Sequence, residues 1–478
     1  MKILFAAAEG LPFIKTGGLG DVIGSLPAAL HDKGLDARVI LPLYEDIPDP
    51  YKTQMQPLKE LTVALGWRNQ YCGIKTLAHN GVPFYFIDNE YYFKRNGLYG
   101  FYDDGERFAF FCRAILAALP HLNFSPDIIH CHDWHTGIIG AFREAFYRDS
   151  RDYQALRLVF TIHNLAYQGI FPPQIRGDLL GLGADFPIAK IEHNNLVNFM
   201  KTGIVYADAV TTVSPTYAAE IQQPFYGEGL DGLLRANQAK LLGILNGLDY
   251  RDFDPLSDRA LYCNYRDSIA DKIQNKLRLQ AELGLESGAD RPLLILISRL
   301  VKQKGLDLLN HIIAELLAAD LQLAVLGSGE EHYQKAFSER AAAHPGRMAV
   351  RLGFDDTLAR RMYAGGDIFL MPSLFEPCGL GQLIAMRYGS IPVVRETGGL
   401  KDTVRPYFEG PAADAGSGNG FTFADYNAHE LLFAVKRALE FYRRRESWQQ
   451  IVRNAMQTDY SWEHSAGEYV GLYRSLIS

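Results

Sequence analysis

The sequence has few cysteines, no long apolar run and no excess of positive charge. Only five of its 478 residues are cysteines, and they are scattered without a CxxC pair, which argues against a disulfide framework and favours a reducing compartment. No uncharged apolar stretch reaches the roughly 18 residues of a membrane span. The apolar start, residues 3–8, is too short for the core of a signal peptide. We therefore expect a cytoplasmic protein without a membrane partner.

Acidic residues outnumber basic ones. Asp and Glu total 55 against 48 Lys and Arg, which gives a formal net charge of -7. Proteins that bind nucleic acids or anionic membranes through bulk charge need a basic surface to displace counterions, so neither partner is expected. What the chain has in abundance is apolar material, 48% against 22% charged residues, which is enough for two or three domains with large cores.

Short apolar runs separated by helical segments recur along the chain. They predict an α/β protein whose parallel sheets are covered by helices on both faces. Strands are predicted at residues 3–8, 37–43, 83–87, 127–130, 158–162, 209–213, 293–298, 321–326, 348–352, 368–371 and 391–394. Helices are predicted at residues 306–319 and 379–388 in the second half. A polar stretch ending near residue 290 predicts an irregular connection between two doubly wound domains.

A glycine-rich turn, residues 15–21, follows the first predicted strand. It differs from a dinucleotide-binding fingerprint because Gly18 and Gly20 are not followed by a third glycine at position 23. It differs from a Walker A loop because Lys15 precedes the glycines. Lys15, Asp21 and the backbone of a helix N-terminus could still bind an anion, and a tight turn with a solvated lysine is the alternative.

Two cations, Arg299 and Lys304, flank the predicted strand-to-helix turn after residue 298. Open α/β sheets bind ligands at the carboxyl ends of their strands, and two cations beside a helix N-terminus suit a diphosphate. A solvated basic loop is the alternative. Glu376 stands after another predicted strand, where it could accept hydrogen bonds from substrate hydroxyls or only assist a helix cap. Cys378 is interpreted as a small buried residue, not as a nucleophile.

Three histidines stand close together in the sequence: His130, His132 and His135. With Asp133 they partly resemble the H-x-H-x-D-H zinc-ligand run of binuclear hydrolases, but Trp134 occupies the place of the metal-binding acid. Three interpretations stay open, namely structural histidines at a strand end, contact with a sugar, and a zinc site. His163 and Asn164 form a similar pair after the next predicted strand.

Seven motifs, in order and spacing, resemble those of bacterial glycogen synthases and plant starch synthases. They are residues 15–22 (KTGGLGDV), 132–135 (HDWH), 163–169 (HNLAYQG), 246–249 (NGLD), 298–300 (SRL) with 303–305 (QKG), 376–380 (EPCGL) and 397–400 (TGGL). The resemblance covers nearly the whole chain. Seven motifs in register are far more specific than any one of them.

This resemblance implies the GT-B fold, in which two Rossmann-like domains face a deep cleft. The first domain is expected over residues 1–242 on the acceptor side, with a helix at about 460–478 packing back on it, and the second over 243–459 on the nucleotide-sugar side. The implied reaction is a retaining transfer of glucose from ADP-glucose to the non-reducing end of an α-1,4-glucan such as glycogen. The resemblance implies neither a metal nor another cofactor.

The resemblance also implies roles for individual residues. The catalytic set would be Lys15, His163, Arg299, Lys304 and Glu376. The nucleotide sugar would be bound by Lys15, Gly17, Gly18, Arg299, Lys304, Cys378, Gly379 and Leu380. The cleft or acceptor side would be bordered by Asp21, Asp133, Asn164 and Asn246. Related retaining transferases carry a second glutamate eight residues after the first, but here that residue is Ile384, and no general base is assigned.

Three alternatives stay open. The first is a GT-B transferase that uses UDP-glucose or another acceptor, because a phosphate clamp does not read the base. The second is a zinc-dependent hydrolase built on His130, His132 and His135. The third is a non-catalytic glucan-binding protein that keeps the fold. The sequence does not indicate an oligomeric state.

Overall fold

A computed structural model of the protein describes residues 1–412 and 414–477. The described chain divides into two compact units. Unit 1 comprises Met1–Gly247 and the final helix, which begins at Trp462, and unit 2 comprises Leu248–Ser461. Within the described ranges, no helix combines the length and apolar character needed to cross a membrane.

Unit 1 is built on a nine-stranded sheet. The strands of the unit are β1 (Lys2–Ala6), β2 (Asp36–Pro42), β3 (Gln56–Leu65), β4 (Arg68–His79), β5 (Val82–Asp88), β6 (Ile128–His132), β7 (Arg157–Ile162), β8 (Ile170–Phe171), β9 (Glu192–His193), β10 (Leu196–Asn198), β11 (Ala209–Thr212) and β12 (Leu241–Gly243). The order across the large sheet is β12-β11-β7-β6-β1-β2-β5-β4-β3, and β8, β10 and β9 form a small antiparallel sheet.

The large sheet is parallel from β12 to β5, but β4 and β3 are antiparallel to their neighbours. The expectation of a wholly parallel sheet is therefore wrong at this edge. The strands were predicted from short continuous apolar runs. Strand β3 has no such run, because it is mostly exposed and buries only Val63 and Leu65. The β3–β4 turn contains Gly66 at φ +58°, where a Cβ would lie 2.1 Å from the carbonyl oxygen of Asp178. A glycine is required there because the two chain segments approach so closely.

Helices cover the large sheet of unit 1. They are α1 (Gly18–Asp32), α2 (Asp49–Lys52), α3 (Glu90–Phe93), α4 (Asp104–Ala118), α5 (Ile139–Phe146), α6 (Arg151–Gln154), α7 (Ile175–Asp178), α8 (Phe199–Tyr206), α9 (Pro215–Glu220) and α10 (Asp231–Ala236). In α1 the residues Leu19, Val22, Ile23, Leu26 and Leu30 recur at helical spacing and are all buried. This apolar stripe holds the helix, and the glycine-rich turn before it, against the sheet.

Unit 2 has one six-stranded sheet, and its strands are all parallel. Its strands are β13 (Leu293–Ile297), β14 (Gln322–Gly327), β15 (Met348–Leu352), β16 (Ile368–Met371), β17 (Ile391–Arg395) and β18 (Phe421–Phe423). Its helices are α11 (Ile269–Leu283), α12 (Leu306–Ala318), α13 (Glu331–Ala343), α14 (Asp356–Gly365), α15 (Gly381–Arg387), α16 (Gly398–Thr403), α17 (Ala428–Tyr442) and α18 (Arg445–Gln457). The final helix, α19 (Trp462–Ile477), packs against α1 in unit 1.

Every strand and helix predicted above by its limits is present to within two residues at either end. The prediction of an irregular stretch up to residue 290 is wrong, because α11 lies in it. The buried face of α11 includes the polar residues Lys272, Asn275, Lys276 and Gln280, so apolar periodicity does not reveal it. Their partners lie elsewhere in unit 2; Lys276, for example, forms an ion pair of 2.7 Å with Asp367.

Both large sheets contain a topological switch point. Strand β1 lies between β2 and β6, and strand β13 lies between β14 and β16, so the chain builds outward from each of these strands in both directions. Crevices form where such connections diverge, and open α/β sheets bind ligands at the carboxyl ends of those strands. A ligand is therefore expected at the loops after β1 and β6 in unit 1, and at those after β13 and β16 in unit 2.

Candidate active site

An ion pair joins the two switch-point loops of unit 2. Lys304, after β13, donates from Nζ to Oε2 of Glu376, after β16, at 2.6 Å. The hydroxyl of Ser373 donates to the same oxygen at 3.0 Å. The side chains of Lys304 and Glu376 are only 14% and 9% exposed. Two charges predicted from separate motifs therefore form one largely buried pair at the carboxyl end of the sheet.

The close approach of these loops depends on Gly305. Its φ is +71°, and a Cβ there would lie 1.9 Å from the carbonyl oxygen of Pro372. The next residue, Leu306, begins α12. Glycine thus lets the turn that carries Lys304 pack directly on the chain leading to Glu376.

Arg299 lies on the same strand-to-helix connection as Lys304, but its environment differs from that of Lys304. Its side chain is exposed, and it forms no ion pair with any residue in the described parts of the chain. A guanidinium in this state keeps its five N–H donors for an anionic ligand. Arg299 and Lys304 therefore supply one accessible and one enclosed cation between β13 and α12.

The loop 376–380 packs on the loop 397–400. A Cβ at Gly398, where φ is +44°, would lie 1.9 Å from the carbonyl oxygen of Glu376, and a Cβ at Gly399 would lie 2.1 Å from that of Cys378. Cys378 is buried, and Leu380 directly precedes α15. The two motifs form one compact backbone cluster beside the Lys304–Glu376 pair.

Sequence reasoning missed Arg395, which supports this cluster from the end of β17. Its Nε donates to the carbonyl of Ser373 at 2.9 Å, and its guanidinium also bonds to the carbonyl of Leu374. Arg395 is 6% exposed. An arginine at the end of a buried strand was the available signal, because such a group must find acceptors inside the protein.

In unit 1, the glycine-rich turn after β1 places Lys15 beside α1. Lys15 Nζ lies 2.7 Å from Oδ1 of Asp21, and the two side chains are 40% and 18% exposed. Gly17 precedes α1 and Gly18 begins it. A Cβ at Gly18 would meet nothing within 4 Å, so the space beside this backbone is open within unit 1.

Glu9 holds the turn and was not predicted as part of the site. Its Oε2 accepts hydrogen bonds from the amide and the hydroxyl of Thr16, at 2.5 and 2.8 Å. Glu9 is 3% exposed, and burial raises the pKa of its carboxyl above the usual range. An acid directly after the apolar run of β1 was the signal in the sequence.

Asp133 and His163 meet at the ends of the neighbouring strands β6 and β7. The backbone N–H of His163 donates to Oδ1 of Asp133 at 2.8 Å. Asp133 has φ +55°, an uncommon left-handed conformation for a residue with a side chain. Burial raises the pKa of Asp133 to about 7, although hydrogen bonds from the backbone of His163 and Asn164 oppose this shift. Burial lowers the pKa of His163 to about 3.

The three clustered histidines do not form a shared metal site. His130 uses both ring nitrogens, with the hydroxyl of Tyr473 at 2.7 Å and that of Thr161 at 2.6 Å. His132 contacts His163 through Nδ1 at 2.9 Å, and the ring of His135 packs on aromatic side chains. Across residues 1–412 and 414–477, no group of three His, Cys, Asp or Glu side chains is arranged to hold a metal ion. The donor geometry of a zinc hydrolase is therefore not formed by these side chains.

The two asparagines predicted at the site, Asn164 and Asn246, differ in burial and in hydrogen bonding. Asn164 is half-buried, and its Oδ1 accepts from the amide of Ala166 at 3.0 Å within its own loop. Asn246 is 6% exposed, and its Oδ1 has no hydrogen-bond partner among the described residues. Asn246 thus offers a buried acceptor near the point where the chain leaves unit 1.

The predicted residues fall into two groups. Unit 1 contains Lys15, Gly17, Gly18, Asp21, Asp133, His163, Asn164 and Asn246. Unit 2 contains Arg299, Lys304, Glu376, Cys378, Gly379 and Leu380. The arrangement in unit 2 combines two cations with a carboxylate, which is suited to a negatively charged ligand that also carries hydroxyl groups.

Two family models match the chain. The model described as the starch synthase catalytic domain matches residues 2–236, and that described as glycosyl transferases group 1 matches residues 284–455. Among curated proteins, the glycogen synthase of Desulforamulus reducens is 55% identical over 100% of this chain and 99% of its own length. The glycogen synthase of Geobacillus thermodenitrificans is 52% identical over 100% of this chain and 98% of its own.

Solved structures show the same relationship. The catalytic domain of starch synthase IV from Arabidopsis thaliana, bound to ADP and acarbose, is 34% identical with a TM-score of 0.91, over 100% of this chain and 99% of that one. Sucrose-phosphate synthase from Thermosynechococcus elongatus has a TM-score of 0.62 at 18% identity, with the same coverage, which is a likeness of fold alone.

Proposed function

Since this chain belongs to the glycogen synthase family of retaining GT-B glycosyltransferases, we propose that it transfers glucose from ADP-glucose to the non-reducing end of an α-1,4-glucan, glycogen being the natural acceptor. The anomeric configuration is retained. Support for the nucleotide comes from the plant starch synthase of similar structure, which is bound to ADP. Support for the acceptor comes from the relatives named above.

The observation that carries this proposal is the Lys304–Glu376 pair at the switch point of unit 2, with Arg299 on the same connection. When the bond between glucose C1 and the diphosphate breaks, negative charge develops on the departing phosphate. Arg299 and Lys304 neutralise that charge in our proposal. Preorganised contacts of this kind are each worth about 3 kcal/mol in the transition state, or roughly a hundredfold in rate.

Glu376 accepts hydrogen bonds from hydroxyls of the transferred glucose. Its Oε2 already accepts from Lys304 and Ser373, so the carboxyl group is held in place as a hydrogen-bond acceptor. Cys378, Gly379 and Leu380 line the donor site through their backbone groups. The position eight residues after Glu376 is Ile384, so a mechanism with paired carboxylates has no second carboxylate there.

We assign no protein general base. The acceptor hydroxyl attacks C1 on the face that the leaving group vacates, and its proton passes to an oxygen of the departing phosphate. This path gives retention and balances the proton without a side chain. The site residues then act by orienting the sugar and stabilising charge.

The residues of unit 1 have complementary roles. Lys15 is partly exposed and exchanges Asp21 for the nucleotide sugar when substrate binds, while Gly17 and Gly18 let the substrate approach the backbone. His163 contacts the transferred sugar near its 6-hydroxyl. Asp133 fixes the backbone of His163, and Asp21, Asn164 and Asn246 border the acceptor side.

The proposal needs no metal and no other cofactor, because two protein cations take the place of a divalent ion at the diphosphate. It also names no nucleic-acid or membrane partner, in line with the acidic balance of the chain. The low cysteine content suits action in the cytoplasm.

A comparison of donors tests the proposal. Purified protein is supplied with glycogen and either ADP-glucose or UDP-glucose, and the release of nucleoside diphosphate is followed together with the glucose gained by the glycogen. We expect rapid transfer from ADP-glucose and far slower transfer from UDP-glucose. Preference for UDP-glucose would favour the alternative donor, and binding of glycogen without transfer from either would favour a non-catalytic glucan-binding protein.

A further inference from the structure

A buried hydrogen bond between two histidines of unit 1 has no role in the function proposed above. His132 Nδ1 lies 2.9 Å from His163 Nε2. Burial lowers the pKa of both rings, so both are neutral at neutral pH. A neutral imidazole carries a single N–H, and therefore one ring donates while the other accepts.

The second nitrogen of His132 determines the direction of this bond. His132 Nε2 is buried and has no hydrogen-bond partner among the described residues. If His132 accepted at Nδ1, its proton would reside on Nε2 as a buried N–H without an acceptor, and such groups are rare and destabilising. A proton on Nδ1 leaves only a lone pair at Nε2. His132 is thus the donor, and His163, which accepts at Nε2, carries its own proton on Nδ1.

Neighbouring aromatic rings hold the His132 ring in place, so that it stays the donor to His163. It stacks on Phe5 with ring centroids 5.6 Å apart and lies against His130 at 4.2 Å. His130 is fixed in turn by hydrogen bonds to Tyr473 of α19 and to Thr161 of β7. Phe5 and His130 also contact each other, with ring centroids 5.0 Å apart, and close packing against these two rings opposes rotation of His132.

The second ring nitrogen of His163, Nδ1, indicates what the hydrogen bond to His132 does. His163 is half-buried, and its Nδ1 makes no hydrogen bond to a residue of the described chain. The backbone of His163 is held by Asp133 at 2.8 Å. One ring nitrogen and the backbone are therefore fixed by the protein, while the other ring nitrogen is left for a ligand.

We propose that His132 is a positioning residue for glucosyl transfer, which holds His163 as the neutral Nδ1–H tautomer so that this N–H donates to a hydroxyl oxygen of the transferred glucose. The inference rests on the proposed function, because it takes the place of His163 at the sugar from there. It adds the protonation state of His163 and the residue that sets it. A fixed donor stabilises the transition state without a reorganisation step.

The tautomer is tested without substrate. Nitrogen-15 NMR of the full chain with labelled histidine distinguishes protonated from unprotonated ring nitrogens, and His163→Gln identifies the signals of His163. We expect the proton of His163 on Nδ1 in the native protein and its transfer to Nε2 in His132→Leu. A native His163 with its proton on Nε2 would overturn the inference. This result does not depend on activity, so it separates failure of the inference from failure of the proposed function.

Steady-state kinetics test whether the tautomer of His163 affects glucose transfer. The amide nitrogen of Asn lies close to where His places Nδ1, whereas that of Gln lies close to Nε2, so His132→Asn keeps the donor and His132→Gln is its matched control. We expect kcat within about threefold of native for His132→Asn and about tenfold lower for His132→Gln and His132→Leu, with KM for ADP-glucose unchanged.

Thermal melting shows whether each variant is folded, and the Asn and Gln pair decides the matter if His132→Leu does not fold. Equal losses in His132→Asn and His132→Gln would contradict the inference, as would native kcat in a folded His132→Leu.

Discussion

Lys304 Nζ lies 2.6 Å from Oε2 of Glu376, and the pair joins the loops that follow two neighbouring strands of unit 2. The pair has two consequences. It fixes the carboxyl group of Glu376 at the carboxyl end of the sheet, and it places a cation where a diphosphate needs one. Because both side chains are largely buried, removal of either one leaves an uncompensated charge.

Lys304→Ala therefore lowers both activity and stability. We expect the rate of glucose transfer to fall at least about a hundredfold and the free energy of unfolding to fall by about 3 kcal/mol, since Glu376 loses its partner. Transfer assays and urea unfolding measure the two effects. Lys302→Ala, an exposed lysine of the same turn, is the matched control and stays close to native in both. Native transfer rates in Lys304→Ala would exclude the assigned role.

Arg299→Ala separates function from folding. The Arg299 side chain is exposed and forms no ion pair within the described ranges, so its loss should leave the melting temperature within about a degree or two of native, as for other surface changes. We nevertheless expect kcat/KM for ADP-glucose to fall about a hundredfold, because a phosphate contact is lost. An unchanged kcat/KM would show that Arg299 is only a solvated residue.

Two glycines that stand in similar sequence motifs should respond differently to alanine. A Cβ at Gly398 would lie 1.9 Å from the carbonyl of Glu376, so Gly398→Ala distorts that loop and lowers both the melting temperature and the activity. A Cβ at Gly18 meets nothing within 4 Å in unit 1, so Gly18→Ala folds normally. If the substrate approaches this backbone, Gly18→Ala raises KM for ADP-glucose at an unchanged melting temperature. An unchanged KM would place the donor away from Gly18.

Asp133 should make stability depend on pH. Burial raises the pKa of Asp133 to about 7 from the ordinary 3.8, so the folded state binds a proton more tightly than the unfolded state does. The favourable contribution of the protonated form is full below about pH 4 and is lost as the pH rises towards 7. Relative to Asp133→Asn, the free energy of unfolding of the native chain should fall by a few kcal/mol over that range. Urea unfolding of both proteins at pH 5 and 7.5 measures this difference, and parallel pH dependences would contradict it.

The strands of unit 2 and the residues at their carboxyl ends could be predicted because the sequence patterns that indicate them are local. The apolar runs that become β13 and β16 predict strand ends, and parallel strands bring their carboxyl ends to one edge of the sheet. That Lys304 and Glu376 lie at the same edge follows from this, but their contact also requires β13 and β16 to be neighbours, which only the folded sheet shows. By contrast, Glu9, Arg395 and the His132–His163 bond act through partners that only the folded chain brings near.

Two elements, α11 and β3, were not predicted from the sequence for a different reason. Helix α11 buries Lys272 and Lys276 on its inner face, where carbonyl groups and Asp367 receive them, so an analysis of apolar periodicity reads the segment as a loop. Strand β3 exposes most of its residues at the sheet edge. In both cases tertiary partners, and not an apolar face alone, stabilise the element.

The stereochemistry of the product shows whether the chain is a retaining transferase that extends an α-1,4-glucan. Proton NMR follows the full chain acting on ADP-glucose and a short α-1,4-glucan. We expect new α-1,4 anomeric signals at the non-reducing end, formed in step with an equal amount of ADP, without added metal and in the presence of a chelator. A β-linked product, or glucose released to water in place of chain extension, would contradict it.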